Sequence, residues 1–188
     1  MAANLFLPVM KNTNIRPLVV SDLDRVWAIE RRAHSHPWSE NMIRNISSRG
    51  ACHYVLCHND KIYGYFYAQH IMGEVTLLNL AVCPDFQGQG YGNVLIDSFV
   101  DTCEALNAET AWLEVRESNN NAFQLYLKNG FNEVDRRLNY YPTESGKEDA
   151  IIMLVYAFIN EINNTSKIFH DDVIKEVEKF FEKVKVNE

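Results

Sequence analysis

Residues 87–92 read Gln87-Gly88-Gln89-Gly90-Tyr91-Gly92 and follow an apolar run at residues 75–82. That run has the composition of a strand, whereas Leu95, Phe99 and Cys103 recur afterwards at helical spacing. Glycines between a strand and a helix let the backbone turn tightly and point several N–H groups into one concavity. Together with the start of the helix, such a concavity binds phosphate oxygens. The sequence therefore predicts a strand, a phosphate-binding loop and a helix, in that order.

Two familiar phosphate loops do not fit these glycines. A P-loop requires Gly-Lys-Ser/Thr, and here Asn93 follows Gly92. A dinucleotide-binding fingerprint requires Gly-x-Gly-x-x-Gly, and the sixth position counted from Gly88 is Asn93. The pattern that fits is Gln/Arg-x-x-Gly-x-Gly/Ala, with Gln87, Gly90 and Gly92 at its defined positions. Taken alone, the same residues would also suit a plain glycine-rich turn.

Composition sets the class of protein. The chain has 188 residues, 47% of them hydrophobic, which is typical of one globular domain with its own core. Its 25 acidic and 18 basic side chains leave a net charge of −7, which argues against direct binding to nucleic acid. Because no run approaches the roughly 18 apolar residues of a membrane span, we expect a cytoplasmic protein that does not bind membranes. The cysteines lack zinc-site or disulfide spacing: Cys52, Cys57, Cys83 and Cys103.

Apolar periodicity along the rest of the chain predicts an α/β fold with a mixed sheet. Helices are predicted from Leu23 towards Arg32, from Ser39 onward, after residue 92, and over residues 122–129. An irregular stretch containing Asn139-Tyr140-Tyr141-Pro142 is expected before the last strand. The strands are predicted at residues 15–20, 52–58, 62–69, 75–82, 110–115, 131–136 and 151–156.

The end of the chain has a different composition. A linker-like segment at residues 160–166 precedes apolar residues at helical spacing, which predicts an amphipathic C-terminal helix. We therefore divide the chain into a domain at residues 12–158 and a linker with this helix at residues 159–188. The apolar face of the helix either packs back on the domain or binds a partner, including a second copy of the chain.

Further motifs accompany the glycine loop in the order of a known family. With them, the chain resembles the GNAT superfamily of acetyl-CoA-dependent N-acetyltransferases, and within it the bacterial ribosomal-protein-alanine N-acetyltransferases. The resemblance extends over residues 12–157 and implies a mixed, mostly antiparallel sheet that splays at the acetyl-CoA site and is flanked by helices. The motifs are Glu30-Arg31-Arg32-Ala33-His34, Pro37-Trp38-Ser39, Leu78-Asn79-Leu80-Ala81-Val82, Trp112-Leu113-Glu114-Val115-Arg116, Leu125-Tyr126 with Gly130-Phe131, Asn139-Tyr140-Tyr141-Pro142, and Glu148-Asp149-Ala150-Ile151-Ile152-Met153.

This resemblance implies acetyl-CoA as co-substrate, without a metal. Backbone groups of Leu80, Ala81 and Val82 are expected to hold its pantetheine and acetyl end, and Asn119 is expected to contact it. The family often has arginine in the first loop positions where this chain has glutamine. This weakens the attraction of side-chain charge for the pyrophosphate but leaves the backbone N–H groups that bind it. The pyrophosphate is expected at Gln87, Gly88, Gln89, Gly90, Tyr91, Gly92 and Asn93.

Acetyl transfer to an amine requires two groups that handle protons. An α-amino group has a pKa of about 8, so it must lose a proton before it attacks a thioester. Glu114 is the candidate base, directly or through a water, although the residues alone equally allow a solvated strand carboxylate. The departing thiolate needs a proton donor, and the resemblance assigns this role to Tyr126. Without it, a tyrosine on an amphipathic helix would be assigned to the core.

The resemblance also implies an acceptor. It is the N-terminal alanine of the eighteenth protein of the small ribosomal subunit, bound as a peptide near Pro37, Trp38, Tyr140 and Tyr141. Two alternatives remain open at this point. One is an acetyltransferase for lysine side chains or small amines, and the other is an acyl-CoA-binding sensor without activity, which would need neither Glu114 nor Tyr126.

Overall fold

The computed structural model describes residues 13–156. The predicted linker and C-terminal helix lie outside the described residues. Two short 3-10 turns, Val20–Asp22 and Pro84–Phe86, precede the first helix and the glycine loop. The strands and helices are β1 (Thr13–Pro17), α1 (Leu23–Ala33), α2 (Glu40–Arg44), β2 (Tyr54–His58), β3 (Lys61–Ile71), β4 (Glu74–Val82), α3 (Tyr91–Ala105), β5 (Thr110–Arg116), α4 (Asn120–Lys128), β6 (Asn132–Thr143) and β7 (Gly146–Tyr156).

The strands form one seven-stranded sheet in the order β1-β2-β3-β4-β5-β7-β6. Its neighbours pair antiparallel except β4 and β5, which are parallel. The predicted mixed, mostly antiparallel sheet is therefore confirmed. In the part of the chain that the structure describes, no helix is long and apolar enough to cross a membrane.

Helices cover both faces of the sheet. Leu95, Ile96 and Phe99 of α3 pack on one face, in a cluster that also contains Tyr126 of α4. On the other face, α1 and α2 pack through a second cluster that includes Ile29 and Ile43. The alternation of side chains along the central strands supplies both clusters, because successive residues of a strand point to opposite faces.

Capping residues and a glycine mark the ends of several helices in the sequence. The Ser39 side chain accepts a hydrogen bond from the Met42 amide, and the Asn119 side chain accepts one from the Ala122 amide at 3.2 Å. Both residues therefore cap helices, as their residue types predict. Gly130, with a φ of +85°, terminates α4 in the left-handed conformation that favours glycine.

Several predicted boundaries are wrong, among them the start of the last strand, which is Gly146 rather than Ile151. The first strand ends at Pro17 rather than Val20, because the Asp22 carboxylate accepts hydrogen bonds from Arg16 and from the Val19 amide and turns the chain. The stretch around 139–142 is not a separate irregular segment but belongs to β6, which shifts its register with β7 between Arg137 and Tyr141. Most side chains at this end of β6 are exposed or only half-buried, so no alternation of buried apolar residues predicts a strand there.

Candidate active site

The candidate site lies where β4 and β5 separate. Their parallel pairing runs from Glu74 opposite Thr110 to Leu77 opposite Leu113, and among the described residues it goes no further. Both strands continue beyond that point, to Val82 and to Arg116. The edge of β4 that faces β5 is therefore without strand pairing from Leu78 onward, and a cleft opens there. This is the splay that the sequence predicts.

A β-bulge at Leu78 changes which side chains enter this region. Ala68 of β3 pairs with Leu77, and Tyr67 pairs with Asn79, so Leu78 is an extra residue on β4. Regular alternation would place residues 77, 79 and 81 on one face. Instead Leu77 packs in the α3 cluster, whereas Ala81 packs in the α1 cluster. The bulge thus turns Asn79 towards α1.

Residues from five elements and two loops line the cleft. Of the predicted site residues it contains Trp38, Leu80, Glu114, Asn119, Tyr126 and Tyr141. Pro37, Tyr140, Ala81, Val82 and the glycine loop lie outside this lining among the described residues. The other lining residues are Glu30, His34, His36, Leu77, Leu78, Asn79, Leu113, Val115, Arg116, Ala122 and Leu125.

Glu114 faces the cleft from β5. Its neighbours Leu113 and Val115 are buried in the opposite, α3 cluster, as the alternation of the strand predicts. The side chain of Glu114 is 29% exposed, and its Oε1 lies 3.2 Å from a guanidinium nitrogen of Arg137 on β6. The carboxylate is thus a partly sheltered, ion-paired group and not a fully solvated one.

Tyr126 lines the same cleft from α4. It is 8% exposed and packs on Phe131, with ring centroids 5.9 Å apart. Burial, with Tyr141 adding to it, raises the pKa of Tyr126 above its usual value. The hydroxyl is therefore held in its protonated form, in which it can donate a hydrogen bond.

The glycine loop leads directly into α3. Gly88 and Gly90 have φ values of +72° and +90°, a conformation in which a Cβ is strained. The Gly90 carbonyl accepts hydrogen bonds from the Asn93 and Val94 amides, which starts the helix. The amides of the first turn before Asn93 have no acceptor within a helix and point towards its N-terminal end. The Asn93 side chain is engaged elsewhere, since it accepts a hydrogen bond from Asn129.

One wall of the cleft is organised by Glu30, a buried carboxylate of α1 that is 1% exposed. It accepts a hydrogen bond from the Trp38 backbone amide at 2.6 Å and another from the Tyr65 hydroxyl. The Asn79 side-chain amide lies 3.3 Å from both carboxylate oxygens. His34 Nε2 lies 3.3 Å from one of them, without hydrogen-bond geometry. Glu30 thus ties the loop at residues 34–38 to the bulged strand β4.

The opposite wall is held by Arg116. Its guanidinium pairs with Glu148 at 2.8 Å and stacks over the Tyr141 ring at 4.3 Å. Burial raises the pKa of Tyr141 to about 12, and the negative charge of Glu114 contributes to the shift. Contacts with residues of β5 and β7 therefore help to hold Tyr141 of β6 over the cleft.

The sequence motifs contain Glu30, Asn79 and Arg116 but do not reveal their roles. The sequence signal for Glu30 is an acidic residue on a helix with apolar neighbours. Such a residue is expected to be buried, and a buried carboxylate requires several hydrogen-bond partners. Within residues 13–156, no group of three or more His, Cys, Asp or Glu side chains has an arrangement that could hold a metal ion.

Comparison with known proteins decides the family. The model of the acetyltransferase (GNAT) family matches residues 22–131, more than half of the chain. The chain belongs to the GNAT acetyltransferase family. This GNAT protein is 43% identical over 139 residues to the ribosomal protein bS18 alanine N-acetyltransferase of Escherichia coli strain K12, covering 74% of the present chain and 94% of that protein. It is 40% identical to the protein of the same name from Haemophilus influenzae, over 76% of this chain and 97% of that one.

The fold of this GNAT acetyltransferase agrees with a solved relative. The crystal structure of the ribosomal-protein-S18-alanine N-acetyltransferase from Escherichia coli superposes with a TM-score of 0.73 and 41% identity, covering 77% of this chain and 94% of that one. The chain is thus an acetyl-CoA-dependent N-acetyltransferase. This sets aside the alternative of an acyl-CoA-binding sensor without activity.

Proposed function

We propose that this protein transfers the acetyl group of acetyl-CoA to the N-terminal alanine amine of ribosomal protein bS18, the eighteenth protein of the small subunit. The observation that carries the proposal is the cleft between β4 and β5, which brings Glu114 and Tyr126 to one place. The relatives at 40% and 43% identity, which cover nearly their own full length, are named for this acceptor.

Acetyl-CoA supplies an activated thioester. The free edge of β4 offers backbone groups of Leu80, Ala81 and Val82 to its pantetheine and acetyl end. The first amides of α3 and the loop at residues 87–92 face the pyrophosphate, where backbone N–H groups and the helix dipole favour negative charge. Asn119 lines the cleft beside this path, although its side-chain oxygen also caps α4.

Residues of the cleft accept and donate the protons that move during acetyl transfer. Glu114 takes a proton from the α-ammonium group, directly or through a water, which leaves a nucleophilic amine. As the new N–C bond forms and the C–S bond breaks, the nitrogen loses its second proton to solvent and Tyr126 gives its hydroxyl proton to the departing sulfur. A proton from solvent then restores Tyr126. Because burial raises the pKa of Tyr126, the hydroxyl is protonated in the free enzyme and can donate a hydrogen bond to the sulfur as negative charge develops on it. No covalent link to the enzyme forms in this scheme.

The acceptor enters between the two walls of the cleft. Trp38, held by Glu30, stands on one side, and Tyr141, held by Arg116, stands on the other. Pro37 and Tyr140 flank these two residues and contact the following part of the peptide. A peptide partner of this kind requires neither nucleic acid nor a membrane, and we place the reaction in the cytoplasm. Self-association through the C-terminal helix stays a prediction.

The test is mass spectrometry of a peptide with the N-terminal sequence of bS18 from the same organism, incubated with enzyme and acetyl-CoA. We expect one added acetyl group, located by fragmentation on the α-nitrogen of alanine. The control is the same peptide with its N-terminus already blocked, which should gain nothing. Acetyl on a lysine side chain, or modification of the blocked peptide, would contradict the proposed acceptor.

A substitution in the loop tests where acetyl-CoA binds. Gly90→Val introduces a side chain at a φ of +90°, where only glycine is unstrained, next to the proposed pyrophosphate cradle. We expect binding of acetyl-CoA to weaken by about tenfold or more, measured by calorimetry. Gly146→Val, at the first residue of β7 where φ is also positive, is the matched control. Unchanged affinity in a folded Gly90→Val protein would remove the loop from the site.

A further inference from the structure

Arg137 forms an ion pair with Glu114, the carboxylate that acts as the base in the proposed reaction. It lies on β6, separated from β5 by strand β7, and its guanidinium reaches Glu114 at 3.2 Å. Its side chain is 52% exposed, and the guanidinium also lies 5.2 Å from the centre of the Tyr140 ring. The chain after Arg137 is where β6 loses its register with β7. This arginine is thus a solvent-facing cation at the mouth of the cleft.

The substrate of the proposed reaction is also a cation. At neutral pH most α-amino groups carry a proton, and the ammonium group must approach Glu114 to lose it. Two positive charges next to one carboxylate repel each other, so Glu114 attracts the ammonium group less strongly while Arg137 is paired with it. Arg116 is no competitor, because Glu148 already pairs with it. The cation that competes with the ammonium group for Glu114 is therefore Arg137.

We propose that Arg137 is a charge placeholder, a positioning residue that pairs with Glu114 in the free enzyme and is displaced by the α-ammonium group of the peptide. The inference rests on the proposed function. Between turnovers, Arg137 compensates the negative charge of a partly sheltered carboxylate. When the peptide enters, its ammonium group replaces the guanidinium, which remains near the Tyr140 ring.

The surroundings of Arg137 suit such an exchange. Arg116 on the neighbouring wall is 20% exposed and is held by Glu148, by the Pro142 carbonyl and by the Tyr141 ring. Arg137 is far more exposed and pairs with Glu114 at a longer distance. Exposed ion pairs of this kind are weak, so a ligand cation can replace one at small cost. An aromatic ring beside it gives the displaced guanidinium a second favourable contact.

The test measures peptide binding without turnover. Calorimetry in the presence of CoA gives the dissociation constant of an N-terminal bS18 hexapeptide for each variant. For Arg137→Gln we expect tighter binding of the free peptide, by about two- to fivefold, because its ammonium group no longer displaces another cation. Binding of the N-terminally acetylated hexapeptide, which lacks that charge, should be unchanged.

Two controls separate this effect from a general change in charge. Arg136→Gln removes the same charge from the neighbouring position, where the side chain pairs with Glu133 and Glu117, and should leave binding unchanged. In a Glu114→Gln background, Arg137→Gln should have no effect. Arg137→Lys, which keeps the charge, should bind like the wild type.

The results distinguish the inference from the function on which it rests. Free-peptide affinity that is unchanged or weaker in Arg137→Gln overturns the placeholder role. So does an equal gain in Arg136→Gln, or a gain that persists without Glu114. Wild-type enzyme that acetylates the bS18 peptide in the same preparation upholds the proposed function whatever Arg137 does, whereas inactive wild-type enzyme refutes that function.

Discussion

Tyr126→Phe should lower kcat by about 10²-fold while the Kd for acetyl-CoA stays near the wild-type value. The substitution removes one hydroxyl from a ring that is already buried and packed on Phe131, so the core keeps its shape. What is lost is the proton for the departing sulfur. Since the raised pKa of Tyr126 keeps the hydroxyl protonated, wild-type activity should show no alkaline loss from this group near neutral pH.

Steady-state kinetics with a bS18 peptide, together with a single-turnover measurement, tests this expectation. Tyr54→Phe is the matched control, because Tyr54 stacks on Phe66 in the same core cluster and takes no part in the proposed chemistry. Wild-type turnover in Tyr126→Phe, with chemistry shown to be rate-limiting, would return Tyr126 to a purely structural role.

Glu114→Gln should lower kcat/KM by about 10²-fold at acidic pH and by much less at alkaline pH. Glutamine keeps the size of the side chain but cannot accept a proton. The loss is largest where the amine is mostly protonated, and raising the pH through about 8 restores activity because solvent then supplies free amine. The measurement is a pH profile of kcat/KM for the peptide.

Glu117→Gln serves as the control, since Glu117 is an exposed acid beyond the end of β5 that pairs with Arg136. Its profile should follow the wild type. If Glu114→Gln loses nothing at any pH, the base lies elsewhere. Glu30 would then be the next carboxylate to test, because it lines the same cleft.

Much of the fold follows from short-range patterns. The alternation of buried residues in β5, the caps at Ser39 and Asn119 and the left-handed Gly130 each act over a few residues. Such features are readable from sequence because their physical causes are local. The failures have a physical reason too. Most side chains at the end of β6 are exposed or only half-buried, so no apolar alternation marks it, and the shift in its register with β7 between Arg137 and Tyr141 has no local sequence signal.

For the candidate site, too, some features could be predicted from sequence motifs and others only from the tertiary structure. The glycine loop and the residues Glu114 and Tyr126 were found from motifs, and their roles remain predictions. The contacts of Glu30 with Asn79, and of Arg137 with Glu114, join residues far apart in the sequence. Each contact depends on side-chain geometry across a sheet, which no local pattern specifies.

By itself, the sequence of this protein determined the order of strands and helices, the family, and the residue types available for acetyl transfer. Those properties depend on hydrophobic periodicity and on local backbone preferences. Only the tertiary structure decided where β4 leaves β5, because the extra residue at Leu78 acts through pairing with β3. That bulge turns Asn79 and Ala81 to the other face of the sheet, at the point where β4 and β5 stop pairing and the cleft begins. The tertiary structure also decided which cation pairs with Glu114, since Arg137 of β6 reaches it across the intervening strand β7.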